Sequence, residues 1–286
     1  MKYDVVIIGG GASGLMLAAA LDLKSLSHSD HSGHRPVFHG LILEKTASLG
    51  TKLLLSGGGR CNITHGGPAR DFVYAYRDAG THLRKCLYRH NNIELASWFE
   101  ERSLPLADDK GNIAHSYDMR EDIRLFPSSF RSRDVLDLLI REAVINGWEI
   151  HTGEDVCGIT GSDLCDPEES SGVWEITTRS PASYMADHLV IACGGITYPE
   201  TGSDGSVFPL LSGLGVDIVP LRPALSPVYV EDYPYEGLSG ISISDAEVTI
   251  FSEDTASSCK GKAARMRGDL LFTHRGFSGP VILNIS

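Results

Sequence analysis

Two runs of apolar residues stand out near the start of the chain, at positions 3–8 and 40–44. Such β-branched and aliphatic runs are typical of parallel strands that are buried on both faces. Glycines within 9–14 end the first run, and the apolar residues 15–21 continue as a predicted helix. Strand, glycine turn, helix and strand form a βαβ unit, in which the polar, histidine-rich segment 25–39 is predicted to be a solvated insertion.

The middle of the chain changes from helical to strand-like periodicity. Residues 92–103 and 132–146 show the spacing of amphipathic helices, and strand-like runs follow at 148–159, 173–178 and 184–192. The last of these runs ends in glycines, as the first strand of the chain does. We expect these later strands to form a β-meander that leads back to the first sheet.

Beyond residue 204, prolines separate short alternating runs, a pattern that is typical of short strands in a β-rich domain. The predicted fold class is therefore α/β. The first domain, 1–203, is Rossmann-like and contains a helical excursion at about 66–130, and residues 204–286 form the start of a second, β-rich domain. Residues 279–285 resemble the first turns of an apolar helix with proline at its first position. We therefore expect this sequence to be the front part of a longer, truncated chain.

Composition narrows the function classes. The 286 residues are 42% hydrophobic and carry a net charge of −12, which argues against a nucleic-acid partner and against an anionic membrane surface. No window approaches the roughly 18 apolar residues of a membrane span. The six cysteines form no CxxC pair, and His28, His31, His34 and His39 lie in the polar insertion, so no metal site is predicted. These features indicate a soluble, cytoplasmic protein.

The glycines after the first strand match a dinucleotide fingerprint. Gly9 permits the tight turn, Gly11 removes the side chain where a pyrophosphate approaches, and Gly14 lets the helix pack closely on the strand. Glu44 ends the next strand, where it can accept hydrogen bonds from a ribose diol. It lies 30 residues after Gly14 instead of about 20, and the histidine-rich insertion accounts for the excess.

The order of elements favours FAD over NAD as the dinucleotide. A nicotinamide domain continues with further βαβ repeats, whereas here the second strand leads into a glycine-rich stretch, and a β-meander follows later. An extended cofactor that is held by several loops at the carboxyl ends of strands suits that order.

Four longer motifs carry a specific resemblance: KLLLSGGGRCNIT at 52–64, FPSSFRSRDVL at 126–136, ACGGITYPETGSDG at 192–205 and GDLLFTHRGFSGPVILNIS at 268–286. Together they resemble the YhiN/BaiN-like bacterial flavoproteins, a family of NAD(P)/FAD-dependent oxidoreductases with some aminoacetone oxidase-like members. The resemblance implies an FAD domain of the glutathione-reductase type that is interrupted by a substrate or interaction domain. This chain departs from the family pattern at His65 and Cys193.

The glycine-rich stretch after Glu44 is the best candidate for a second cofactor contact. Its glycines could let the backbone approach the cofactor, Lys52 and Arg60 could offset phosphate charge, and Ser56 and Asn62 could form hydrogen bonds. Cys61 has no partner cysteine nearby in sequence, so a packed thiol is favoured over a redox role. His274 lies in a family motif and is the candidate proton donor or substrate ligand, with a structural histidine as the alternative.

The resemblance and the residues together predict an FAD-dependent oxidoreductase that takes hydride from NAD(P)H, a transient co-substrate, and passes it to a small organic substrate. The alternatives are a flavin-dependent amine oxidase that uses dioxygen and a non-catalytic flavin-binding protein. The predicted cofactor-contacting residues are Gly9, Gly11, Ala12, Ser13, Gly14, Glu44, Lys45, Lys52, Ser56, Gly57, Gly58, Arg60, Cys61, Asn62, Val156, Gly194 and Gly195.

Overall fold

A computed structural model describes residues 1–25, 38–76, 79–116, 123–161, 172–252 and 261–286. The chain forms two compact units, Met1–Ile218 and Val219–Ser286. Three of the four histidines of the predicted insertion, within 26–37, lie outside the described residues. In the described parts of the chain, no helix has the length and apolarity that crossing a membrane requires.

The strands of the first unit are β1 (Lys2–Ile8), β2 (Gly40–Glu44), β3 (Thr64–His65), β4 (Leu106–Ala107), β5 (Ile113–Ala114), β6 (Arg124–Pro127), β7 (Trp148–Thr152), β8 (Val156–Gly161), β9 (Trp174–Thr178) and β10 (Ser183–Ile191). Its helices are α1 (Ala12–Ala20), α2 (Thr51–Leu55), α3 (Ala69–Ala75), α4 (Gly80–Arg89), α5 (Asn92–Glu101), α6 (Ser132–Ile145) and α7 (Val207–Gly213). The second unit contains β11 (Val228–Tyr229), β12 (Ser242–Ser252), β13 (Gly261–Phe272), β14 (Gly276–Ser278) and α8 (Pro280–Ile285).

The main sheet of the first unit has the strand order β7-β2-β1-β10-β9-β8 in the described residues. Strands β7, β2, β1 and β10 are parallel, whereas β10, β9 and β8 pair antiparallel as a meander. The predicted βαβ unit and the predicted return of the meander to the first sheet are therefore both confirmed. This topology brings the carboxyl ends of β1, β2, β7 and β10 to one edge of the sheet.

The buried residues of the sheet divide into two clusters, one on each face. Ile7 and Ile42 pack with α1, α5 and α6 on one face, whereas Val6, Ile8 and Leu41 pack with the meander on the other. Alternate residues of a strand point to opposite faces. A continuous apolar run is therefore needed where both faces are covered, and this requirement explains the pattern at 3–8 and 40–44.

The predicted helical excursion at about 66–130 contains α3, α4 and α5 together with short strands. Strands β3, β6, β4 and β5 pair in that order as a small antiparallel sheet. Asn92, at the start of α5, is buried, and its amide nitrogen donates to His65 O at 2.9 Å and to Gly67 O at 3.0 Å. These two bonds hold α5 against the segment that leads away from the main sheet.

The prediction of one continuous strand run at 148–159 is wrong. The run is two strands, β7 and β8, separated at Gly153, which has a φ of 78°. The backbone of this turn bonds to the end of β2, because Gly153 N donates to Thr46 O and Glu154 N donates to Glu44 O. The local signal for this turn is the run of Gly, Glu and Asp at 153–155, because these residue types are depleted in strands.

The second unit is β-rich, as predicted. Its strands β11, β14, β13 and β12 form an antiparallel sheet in that order, and α8 packs on β13. Its compact boundary at 218/219 lies after the predicted domain boundary at 203/204, because α7 packs against β8 of the first unit. The division of labour between a cofactor domain and a substrate domain stays a prediction.

Candidate functional site

A cavity of about 600 Å³ opens at the carboxyl edge of the main sheet, within the first unit. It is lined by the ends of β1 and β2, the first turn of α1, the segment around α2, the start of β8, and the loop between β10 and α7. The carboxyl ends of parallel strands are where open α/β sheets bind ligands.

The three fingerprint glycines differ in how closely other atoms approach them. Gly9 has a φ of 111°, and a Cβ there would lie 2.5 Å from Ala192 O. A Cβ on Gly14 would lie 2.0 Å from Gly9 O, so α1 packs on the turn as closely as the backbone allows. A Cβ on Gly11, by contrast, would have nothing within 4 Å among the described atoms, and Gly11 lines the cavity. Two of the glycines therefore build the turn, and one leaves space in front of it.

Glu44 ties the glycine turn to the end of β2. Its Oε2 accepts from Gly10 N at 2.8 Å, and its Oε1 accepts from both Thr46 N and Thr46 Oγ1 at 2.8 Å. A carboxylate has about four lone-pair sites, so Glu44 can accept a further hydrogen bond besides these. Glu44 thus fixes the shape of the turn and also lines the cavity.

The apolar lining of the cavity falls into two groups, on opposite faces of the sheet. One group packs with the cluster around α1, α5 and α6, and the other with the meander cluster. Glycines and polar residues at the sheet edge lie between them. The first group includes Met16, Leu53, Leu95, Phe99, Val135 and Leu139, and the second includes Ile8, Leu43, Val156, Ile159 and Leu210. The cavity therefore has apolar walls on both faces of the sheet, with glycines and polar residues at the sheet edge between them.

The three glycines at 57–59 form a turn that follows α2, and all three have positive φ, between 56° and 85°. Residues other than glycine rarely adopt positive φ, so consecutive glycines are needed for the turn itself. Gly57 and Gly58 do not line the cavity. Arg60 is exposed, and its guanidinium lies 4.8 Å from the centre of the Phe126 ring. These residues shape the loop, while their neighbours Ser56 and Asn62 reach the cavity.

Cys61 is buried and adopts a φ of 59°. Burial raises the pKa of its thiol, and a hydrogen bond with Ser56 opposes that rise only in part. Cys193 also lines the cavity, and burial followed by the charge of Glu44 raises its pKa to about 11. Near neutral pH both groups are thiols and not thiolates, which supports the packed-thiol interpretation of Cys61.

Most of the predicted cofactor residues come together at this cavity. Of the described residues, those that line it are Gly9, Gly11, Ala12, Ser13, Glu44, Lys45, Lys52, Ser56, Cys61, Asn62, Val156 and Gly194, whereas Gly14, Gly57, Gly58, Arg60 and Gly195 do not. In the loop between β10 and α7, Asp204 forms an ion pair with the ammonium group of Lys45, and Thr197 O accepts a hydrogen bond from that of Lys52. His274 is exposed in the turn between β13 and β14 of the second unit.

Sequence reasoning missed two parts of the lining. The loop before α7 contributes Thr201, Gly202, Ser203 and Ser206, and the ETGSDG motif could have shown its importance because it lies in a family-like stretch. The apolar residues of α5 and α6 gave no such signal, because a residue that faces a cavity and one that faces a core look alike in periodicity.

Comparison with known proteins agrees with this geometry. The HI0933-like protein Rossmann domain matches residues 3–276. A 3-dehydro-bile acid delta(4,6)-reductase of Clostridium scindens is 28% identical, over 98% of this chain and 59% of that protein. A ribosomal RNA dihydrouridine synthase of Escherichia coli is 25% identical, over 100% of this chain and 60% of that protein. The chain thus spans about three fifths of the length of these curated relatives.

Among solved structures, the open conformation of a flavocytochrome c3 fumarate reductase superposes with a TM-score of 0.50 at 14% identity. The match covers 85% of this chain and 47% of that one. At this level of identity the similarity concerns the fold alone.

Proposed function

The chain belongs to the HI0933-like protein family, and from that membership and the cavity we propose that it is a cytoplasmic, FAD-dependent oxidoreductase. NAD(P)H is the proposed hydride donor, and a small organic molecule is the proposed acceptor. When bound, FAD would supply the chemistry of accepting a hydride from the nicotinamide and passing it on to the substrate.

The observation that carries the proposal is the lining of the cavity: apolar walls on both faces of the sheet, with glycines and polar residues at the sheet edge between them. FAD has the same order of parts, with two ring systems joined by a polar, charged chain. The space in front of Gly11 fits the close approach of a pyrophosphate to the first turn of α1. The residues present therefore fit this cofactor.

Individual residues have separable roles in this proposal. The amide groups at the start of α1, beside Ala12 and Ser13, would face the pyrophosphate, and the free acceptor position of Glu44 would take a ribose hydroxyl. The wall around Ser56 and Asn62 would border the other end of the cofactor. The surrounding apolar side chains would reduce the access of water to the bound cofactor, which would strengthen the hydrogen bonds around it.

The name of the Clostridium scindens relative supports reduction over oxidation of an amine, since that protein is a reductase. The name of the Escherichia coli relative suggests RNA as an alternative substrate. The net charge of −12 weighs against RNA, because phosphate contacts need a basic surface. We therefore propose a small molecule, and not RNA, as the substrate.

The test begins with the visible absorption of the purified protein, followed by anaerobic mixing with NADH or NADPH. Rapid bleaching of bound flavin by either nucleotide is expected. The reduced protein is then mixed with candidate acceptors, including a 3-oxo steroid and a uridine-containing RNA, and the return of the flavin absorption is followed.

The outcomes separate the candidates. Bleaching by amines alone would favour the amine oxidase, and reoxidation by RNA alone would replace the small-molecule substrate with a nucleic acid. Bound flavin that no donor reduces would favour a non-catalytic flavin-binding protein. Protein that takes up no FAD would contradict the whole proposal.

A further inference from the structure

The loop between β10 and α7 covers one side of the cavity, and its residues 197–206 are referred to as the strap. Thr201, Gly202, Ser203 and Ser206 of the strap line the cavity. The strap also packs on other walls of the site: a Cβ on Gly202 would lie 3.1 Å from Thr46 Cγ2, and a Cβ on Gly194 would lie 2.7 Å from Ser203 Oγ. It is therefore fitted closely around the place that the dinucleotide is proposed to occupy.

Two lysines of the facing wall hold the strap. Lys45 Nζ lies 2.8 Å from Asp204 Oδ1 and donates to Ser206 Oγ at 3.4 Å. Lys52 Nζ donates to Thr197 O at the other end of the strap. Lys52 was expected to offset phosphate charge and Lys45 to contact the cofactor, yet in this arrangement each ammonium group already has a partner in the strap.

The Lys45–Asp204 contact has the features of a specific ion pair. The side chain of Lys45 is 24% exposed, so its charge is partly removed from water. Lys45 and then Ser206 hold the pKa of Asp204 well below its usual range, and the Ser206 amide donates to the same carboxylate at 3.1 Å. Asp204 is thus ionised and oriented at neutral pH.

We propose that Lys45 and Asp204 form a latch that holds the strap over the bound dinucleotide. Lys45 is then a positioning residue and not a phosphate ligand. This inference rests on the proposed function, because it assigns the strap to the release of that cofactor. A partly exposed ion pair contributes only modestly, so the latch is expected to change the rate of cofactor release severalfold and to leave binding possible without it.

The Asp204→Asn variant separates the two roles of Lys45, because they predict opposite results. If the pair is a latch, the loss of the Asp204 charge loosens the strap, and FAD is released about three to five times faster. If Lys45 binds phosphate, the same change frees its ammonium group from a competitor, and FAD is released more slowly. Release is measured as the rise in flavin fluorescence when protein purified with bound FAD is diluted into FAD-free buffer.

Two controls accompany that variant. Asp187→Asn removes an equally short pair, Lys2–Asp187 at 2.8 Å, at the opposite edge of the sheet, and should leave FAD release unchanged. The charge-reversed double variant Lys45→Asp/Asp204→Lys should restore release towards the wild-type rate. High salt should accelerate release from wild type more than from Asp204→Asn, because salt screens the pair.

Unchanged or slower release of FAD from Asp204→Asn would overturn the latch. So would a charge-reversed double variant that releases FAD faster than both of its single variants, Lys45→Asp and Asp204→Lys. Wild-type protein that takes up no FAD would overturn the proposed function together with the latch. Wild-type protein that binds FAD and an Asp204→Asn variant that holds it equally well would overturn the latch alone.

Discussion

Two alanine substitutions in the glycine turn should affect different properties, one the stability of the fold and the other the affinity for FAD, although they lie only three residues apart. Gly14→Ala should destabilise the folded protein, whereas Gly11→Ala should leave its stability nearly unchanged and weaken FAD binding. The distinction follows from what a new methyl group would meet: a backbone carbonyl 2.0 Å away at Gly14, and open space at Gly11.

The magnitudes can be worked from the local geometry. The Gly14 methyl would collide with Gly9 O, which belongs to a tight turn, so α1 must shift; overpacking of this kind costs about 1–3 kcal/mol. Gly11 has a φ of −84° and a ψ of −170°, an extended conformation open to alanine. Alanine is a poorer N-cap by about 0.5–1 kcal/mol, and the lower entropy of the unfolded chain offsets about 0.4–1 kcal/mol of that.

Urea unfolding of the FAD-free proteins measures the first effect, and quenching of flavin fluorescence on titration measures the second. Gly11→Ala should keep the wild-type unfolding midpoint and lose at least about tenfold in FAD affinity, which corresponds to about 1.4 kcal/mol. Wild-type FAD affinity in Gly11→Ala would refute the placement of the pyrophosphate. Unchanged stability of Gly14→Ala would refute the packing argument.

Three further predictions concern single side chains. Cys61→Ser should retain both bound flavin and turnover, as shown by absorption and steady-state rates, because the native group is a buried thiol with a raised pKa. As the pH rises from about 9 to about 11, the wild-type protein should lose stability in urea relative to Cys193→Ser. In this range the Cys193 thiol ionises in the unfolded chain but stays protonated in the folded protein, where its pKa is raised from 9.0 to about 11. Asn92→Ala should lower the free energy of unfolding by about 1–3 kcal/mol, since His65 O and Gly67 O lose their buried donor.

Much of the first unit follows from local sequence features. The runs at 3–8 and 40–44 predict buried parallel strands, and the glycines between them predict the turn that the structure has. The split of the run at 148–159 into β7 and β8 did not follow. The turn at Gly153 is stabilised by backbone bonds to Thr46 and Glu44, which are distant in sequence.

The site was predictable to a similar extent and for a similar reason. Gly11 and Glu44 both line the cavity, because the βαβ unit positions both by local geometry, and their contact with a cofactor stays a prediction. Lys45 and Lys52 were expected to contact the cofactor, and both line the cavity, but their pairing with the strap was not predicted. A lysine near a glycine loop has the same sequence signature whether its partner is a phosphate or a carboxylate.

The sequence by itself determined the βαβ unit, the glycine turn and the burial of the sheet on two faces, because each depends on residues that are neighbours along the chain. Only the tertiary structure decided that Asp204 meets Lys45 and that α5 and α6 complete the cavity. The reason is physical: backbone preference and periodicity act over a few residues. The partner of a side chain, by contrast, is set by which strand ends and loops the sheet topology brings to the same edge.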